Sequence, residues 1–321
     1  MKPEQIQKAA DELLAEINAT NRPANEVINT YTRARRYIGS KDRHKLTELV
    51  WSTIKNYPTP QWLCKYVPLE ELEAMNAPSH TILRVNGDRL QIQKSLATQG
   101  IESTLTTLSP LGLVLQKRTN LQMLPEYKEG LIEVQDEGSQ LVALATHIQP
   151  NNTVLDYCAG AGGKSLCLAQ MMQNKGKIVA HDVSKVSLQE LKKRSLRAKT
   201  TLITTTQHPV GMFDHVVVDA PCSGSGTWRR SPDGRLKLTE KQIFALVKKQ
   251  RDILNKASAF VALNGYLHYI TCSLIKLENQ EQAQVFLKHH ANFRLVHHQQ
   301  WTPAKTNTDG FFLATFQKIK D

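Results

Sequence analysis

Between residues 134 and 273, short β-branched apolar runs alternate with longer stretches whose apolar residues recur at helical spacing, and this alternation narrows the fold more than any other feature. A parallel strand buried on both faces reads as an unbroken apolar run, and parallel neighbours need a crossover long enough to hold a helix. The pattern predicts an α/β domain with a Rossmann-like parallel sheet and right-handed crossovers. Strands are expected over 152–156, 177–182, 201–205, 213–218 and 265–271, with helices over 135–148, 165–172, 184–197 and 240–257.

Upstream the pattern differs. Residues 3–56 read as three helices, the first marked by Ile6, Ala9, Ala10, Leu13, Leu14 and Ile17 and the third by Leu46, Leu49, Val50 and Ile54, with Pro23 suited to a first turn. The basic stretches 31–36 and 41–45 read as a solvated helix face within reach of a phosphate backbone. Pro58, Pro60 and Pro68 break the pattern. A small α+β module follows: strands at 81–85 and 101–108, a helix at 88–99 ending at Gly100, and short strands near 113–115, 121–124 and 131–132. The expected domains are a helical bundle with possible RNA contact over 1–66, the module over 67–133 and the Rossmann-like domain over 134–321.

Charge points to a polyanion. The 321 residues carry a formal +12, with residues 1–130 at +3 and residues 131–321 at +9, so the excess lies with the sheet domain. No run of about 18 apolar residues suggests a membrane span, and residues 1–14 lack the apolar core of a signal peptide, so the cytoplasm is the expected compartment. Five cysteines form no CxxC pair and the eleven histidines show no metal-ligand spacing, which argues against structural zinc. Cys64 and Cys167 read as small buried hydrophobes.

The chemistry is expected where strands end. Asp219-Ala-Pro-Cys222 closes one strand and Thr271-Cys272-Ser273 another, so two thiols and a carboxylate would emerge at one carboxyl edge, where open α/β sheets bind ligands. Cys158, Ala159, Gly160, Ala161, Gly162, Gly163 and Lys164 form a glycine-rich turn between strand and helix, which lets backbone approach a ligand. Asp182, about twenty residues on, is placed to accept both hydroxyls of a ribose, as in several nucleoside cofactor sites. Paired thiols suit addition of one sulfur to carbon 6 of a cytosine ring, which makes carbon 5 nucleophilic, with a second group to remove the carbon 5 proton. Asp219 is a candidate to hold the ring and Lys164 to lower a thiol pKa. Trp228, Arg229 and Arg230 could stack on and clamp nucleic acid.

VLDYCAGAGGK (154–164), Asp182, DAPCSGSGTWRRSPD (219–233), YITCSL (269–274) and DGFFLATFQK (309–318) together resemble the Sun/nucleolar-protein family of RNA cytosine-5 methyltransferases, closest in layout to bacterial ribosomal-RNA members of the methyltransferase B type. LRVNGD (83–88) and VQDEGSQL (134–141) extend the resemblance upstream. The resemblance implies a class I methyltransferase domain and S-adenosylmethionine held by residues 158–164, Asp182 and Asp219. It makes Cys272 the attacking nucleophile and Cys222 the residue that assists product release, with RNA as partner. A monomer is the favoured state. The chain departs from the family in carrying Gly160-Ala161 where alanine-proline is commoner, and in having no acid in 201–208 to meet the adenine, for which Gln207 or a backbone amide is the candidate substitute. A transfer-RNA substrate, or an RNA-binding assembly factor with little turnover, are the alternatives left open.

Overall fold

The computed structural model describes residues 1–20 and 22–320. Its strands are β1 (Thr81–Val85), β2 (Ser103–Leu105), β3 (Gly112–Leu115), β4 (Ile132–Val134), β5 (Thr153–Asp156), β6 (Lys177–His181), β7 (Ile203–Thr206), β8 (Phe213–Asp219), β9 (Val261–Thr271), β10 (Phe293–Trp301) and β11 (Phe311–Lys318). Seven form one sheet in the order β10-β11-β9-β8-β5-β6-β7. From β9 through β8, β5 and β6 to β7 all pairs are parallel, as the alternation predicts. The other edge corrects the all-parallel expectation: β11 runs antiparallel between β9 and β10. Apart from its ends β10 carries no apolar alternation, because it is an edge strand whose middle is exposed, and β11 is apolar nearly throughout because both faces are covered.

Alternate residues of the central strands feed two apolar layers. Leu155, Val216, Val218, Leu267, Tyr269, Phe312 and Phe316 lie in one cluster, and Val154, Val217, Ile270 and Leu313 in the other. This is the period of two that a strand imposes, and each such side chain fully buried contributes about 1.5–3 kcal/mol. Crossover helices start at recognisable caps: Ser184 accepts from Ser187 N at 3.2 Å, and Thr239 and Gln242 form a capping box for Glu240–Ser258. Across the sheet, His215 Nδ1 lies 2.9 Å from His268 Nε2, and His268 Nδ1 lies 3.0 Å from Thr315 Oγ1. Burial holds both imidazoles below their ordinary range, His215 at about 4.

The smaller sheet is antiparallel in the order β2-β3-β1-β4. Ile92 and Leu96 of helix Arg89–Thr98 pack on Leu83, Val85, Leu113 and Leu115. The other face is tied to the large domain, with Arg84 Nε donating to Gln135 Oε1 at 2.7 Å and Glu133 paired with Arg194 at 3.0 Å and with Arg197. Only Ser103–Leu105 of the expected strand 101–108 pairs, and Leu121–Met123 is a 3-10 turn rather than a strand, its Leu121 and Leu124 turned into the module's core.

Helices Pro3–Ala19, Ala24–Ala34 and Ser40–Lys55 share a core that includes Leu13, Ile17, Val27, Leu46 and Ile54. Pro23 stands at the N-cap, just before the first turn. Ala24 N donates to Asp233 Oδ2 at 3.0 Å, binding the bundle to the segment after the Cys222 loop. Leu63, Val67, Leu72 and Met75 then pack around Trp228, Ile243, Leu274 and Ile275, beneath both thiol-bearing loops.

Candidate active site

The glycine-rich turn follows β5 directly. Gly160 adopts φ +53° and Gly162 φ +86°, and a Cβ at Gly162 would stand 2.5 Å from Leu191 Cγ, so that position requires glycine. At Gly160 a Cβ would meet nothing within 4 Å, so the turn faces open space there. Gly160 N donates to Asp182 Oδ2 at 2.9 Å and Ser184 N to Asp182 Oδ1 at 2.8 Å, which fixes the carboxylate against the turn. Cys158, Asp182, Val183, Asp219 and Pro221 line a cavity of about 540 Å³, together with Lys249, Ile253 and Lys256. Ala159 is buried against Ala180 and Leu191, while Ala161 O accepts from Arg194 Nη1 at 2.8 Å. Gly163 begins the helix whose first-turn amides have no intrahelical partner. An acid for ribose hydroxyls, apolar walls for a base and free amides for a carboxylate all fit S-adenosylmethionine.

Two further features bear on this cavity. Asp156 is fully buried at the root of the turn, with Oδ2 accepting from Ser165 Oγ at 2.6 Å and Oδ1 unpartnered. Burial above all, with the charges of Asp219 and Asp182, raises its carboxyl to about 7 against the opposing Ser165 bond and Lys164. Burial likewise pushes the Cys158 thiol up, aided by the same acids, so it is a neutral wall. At the end of β7, Gln207 Nε2 donates to Val183 O at 2.9 Å, beside the cavity, with one of its two amide hydrogens taken by the chain.

β8 and β9 are in register with Asp219 opposite Ile270, so the segments beyond them run out side by side. Cys222 Sγ and Cys272 Sγ lie 3.4 Å apart. Lys164 Nζ stands 2.6 Å from Asp219 Oδ2 and 4.9 Å from the centre of the Phe311 ring. Burial disfavours the Lys164 ammonium, but Asp219 and the Cys272 thiol outweigh it and the lysine pKa rises. Cys272 also helps raise Arg230, so this sulfur lies within the field of two cations. Cys222 is pushed well up, first by its contact with Cys272, then by burial and by Glu278. The four residues singled out as reactive, Cys272, Cys222, Asp219 and Lys164, thus converge.

The other expectations divide. Trp228 is 2% exposed within the cluster beneath the loops, and Arg229 is 6% exposed with its guanidinium on Asn307 Oδ1 at 2.7 Å and Asn307 O at 2.9 Å. Neither can meet nucleic acid without leaving that packing, which corrects their reading as a clamp; Arg230 remains at the surface, paired with buried Asp309. Cys64 is exposed rather than buried, because the turn Gln61–Lys65 points its neighbour Leu63 inward; Cys167 is buried. Sequence reasoning missed Glu278, whose carboxylate lies between the two thiol loops, and Gly226 and Gly310, whose backbones touch there. An isolated acid among Leu274, Ile275 and Leu277 was the available signal. Among the described residues no group of three or more His, Cys, Asp or Glu is placed to hold a metal ion, and no helix is long and apolar enough to cross a membrane.

Comparison with known proteins agrees with this geometry. The family described as 16S rRNA methyltransferase RsmB/F matches residues 143–317. A Synechocystis protein named probable ribosomal RNA small subunit methyltransferase B is 30% identical over 92% of this chain and 74% of its own length. The human 28S rRNA (cytosine(4447)-C(5))-methyltransferase is 30% identical over 79% of this chain and 36% of its own length. A crystal structure of a methyltransferase homologue from Pyrococcus horikoshii, 26% identical, superposes with a TM-score of 0.68 over 78% of this chain and 90% of that one. With the cofactor cradle and the paired thiols at one sheet edge, these matches show that the chain belongs to the RsmB/F family and is an S-adenosylmethionine-dependent RNA cytosine-5 methyltransferase.

Proposed function

We propose that the chain methylates a cytosine of ribosomal RNA in the cytoplasm, acting as a monomer through a covalent adduct on Cys272. The observation that carries the covalent reading is the 3.4 Å contact of Cys222 and Cys272 beside the Lys164–Asp219 pair. The ribosomal substrate is inferred from the names of the bacterial and human relatives.

S-adenosylmethionine, when bound, supplies an electrophilic methyl group. Residues 158–164, Asp182 and Asp219 would hold it, in the cavity that Val183 and Pro221 also line. Lys164 and Arg230 stand near the Cys272 sulfur, while Cys222, pushed well up by its contact with Cys272, by burial and by Glu278, keeps its proton. Cys272 Sγ adds to carbon 6 of the cytosine, and the displaced electron pair makes carbon 5 the nucleophile for the methyl. Asp219, its Oδ2 held by Lys164, accepts from the exocyclic amine and fixes the ring. Once Cys272 sulfur is bonded to carbon, the largest influence holding Cys222 protonated is gone. Cys222 then loses its proton to solvent and takes the carbon 5 proton, and the C6–S bond breaks to return the Cys272 thiolate. One proton is released per methyl transferred, as the cationic methyl donor requires.

A base must leave its stack to reach sulfurs at a sheet edge, so the target is a loop or an opened helix. Lys117, Arg118 and Arg230 border a groove of about 300 Å³ between β1–β3 and the catalytic loops, suited to the flanking phosphates. We assign residues 1–66 and 67–133, as bundle and module, to target choice. The test is transfer of labelled methyl to RNA from cells lacking the enzyme, followed by bisulfite sequencing. One modified cytosine in ribosomal RNA supports the reading; modification of transfer RNA alone, or RNA binding without transfer, overturns it.

A further inference from the structure

Glu278 is fully buried, yet its carboxylate is the meeting point of both thiol-bearing loops. Oε1 accepts from Ser223 N at 2.9 Å and from Gln250 Nε2 at 2.9 Å, and Oε2 accepts from Ser223 Oγ at 2.5 Å and Ser273 Oγ at 2.6 Å. Ser223 follows Cys222 and Ser273 follows Cys272, so one side chain grips the residue after each sulfur. Four donors on two oxygens match the ionised form, which accepts about four hydrogen bonds and donates none. The loop is closed from behind as well: Tyr269 OH donates to Glu278 O at 2.7 Å, and Asn279 Nδ2 to Ser273 O at 2.8 Å.

We propose that Glu278 is a positioning residue that decides which of the two thiols is ionised: it sets their separation through Ser223 and Ser273, and its buried negative charge keeps Cys222 as the neutral partner. The groups facing Cys222 are the Cys272 thiol, Glu278, the Tyr269 phenol beneath, and Lys237 and Lys249 across an open apolar cleft. Both lysines are at the rim, one partly and the other largely in solvent, whereas Glu278 is enclosed, so its field is the less screened. Cys272, by contrast with Cys222, has Lys164 and Arg230 in range. An anion behind one sulfur and cations beside the other give two chemically identical residues different work. The same anion makes the Cys222 thiolate, once formed, the stronger base toward carbon 5. This assignment rests on the covalent reading above, but its test needs neither RNA nor cofactor.

The test is iodoacetamide labelling of the full chain, read peptide by peptide as the ratio of Cys222 to Cys272 modification between pH 6.5 and 9.5. In the parent Cys272 is expected to be labelled first. Glu278→Gln keeps the size of the side chain and removes its charge, and the ratio at pH 7.5 is expected to rise about tenfold as the Cys222 thiol comes down. Gln250→Lys sets a cation against Glu278 while leaving its carboxylate in place and is expected to move the ratio the same way, which keeps the proposal testable should Glu278→Gln not fold. An unchanged ratio in either folded variant, or an equal rise at both cysteines from simple loosening of the loops, overturns the proposal. In that event labelled-methyl transfer by the parent would still stand, and with it the function proposed above.

Discussion

Lys164 Nζ is 2.6 Å from Asp219 Oδ2, an ion pair linking the first turn after the glycine-rich segment to the end of the neighbouring strand. Each charge is the other's main compensation in a mostly buried place, so removing either leaves the partner unpaired. Lys164→Met and Asp219→Asn are each expected to lower kcat by about 10²–10³-fold. The double variant should lose little more than the worse single one, since the two act as a unit. Methyl-transfer rates at saturating RNA measure this; losses that multiply would show independent roles.

The two sulfurs are expected to fail differently. Cys222→Ala should accumulate a covalent protein–RNA adduct, visible as a slower band under denaturing conditions in the presence of S-adenosylmethionine, while Cys272→Ala should form none. Equal loss of adduct in both variants would refute the assigned division of labour.

Asp156 gives a pH dependence with a definite sign. Its folded value of about 7 lies above the ordinary 3.8, so between about 4 and 7 the folded chain holds a proton that the unfolded chain has lost. Stability therefore falls as pH rises through that window, by on the order of 4 kcal/mol when complete. His215, held at about 4 from an ordinary 6.5, slopes the other way over much of the same range: the unfolded chain binds a proton that the folded one refuses, and stability falls as pH drops. The two mask each other in the parent. Asp156→Asn is expected to gain stability over the parent by about 2–3 kcal/mol more at pH 8 than at pH 5, read by urea unfolding. A difference that does not vary with pH would exclude a buried proton on Asp156.

Gln207 stands near the place where relatives are expected to carry an acid, and one of its amide hydrogens goes to Val183 O. Gln207→Asp should tighten S-adenosylmethionine binding several-fold by calorimetry, with kcat unchanged. Cofactor affinity equal in the two forms would show that the backbone alone reads the adenine.

A Cβ at Gly226 would come within 2.1 Å of Gly310 O, and Gly226 N donates to Cys272 O at 2.9 Å. Gly226→Ala is expected to cost about 1–3 kcal/mol and to displace the Cys272 loop. Activity should fall further than stability explains, and a variant as active as the parent would show that the loops can separate without harm.

The central strands were legible because burial on both faces leaves an unbroken apolar run, as in Val216–Val218, and because β-sheet ends are where Asp219 and Cys272 had to fall. Turns were legible where glycine was obligatory, as at Gly162. β10 escaped notice because an edge strand with an exposed middle need not alternate, and Leu121 and Leu124 misled because a 3-10 turn can bury leucines as well as a strand can. Trp228 resembled a stacking platform until its neighbours, Leu63 and Ile275, were brought from distant parts of the chain. Glu278 was out of reach for the same reason: its meaning lies in two serines fifty residues apart, Ser223 and Ser273, that meet only when β8 and β9 pair.

A separation of 3.4 Å between Cys222 and Cys272 leaves the sulfurs a short movement from a bond of about 2.05 Å. A mild oxidant that removed two electrons from the pair would tie up nucleophile and base in a single event, and a dithiol reductant would release both. Proximity that lets one thiol serve the other thus makes the catalyst answer to the thiol–disulfide poise of its surroundings, and a purified sample kept without reductant should lose methyl transfer long before it loses its fold.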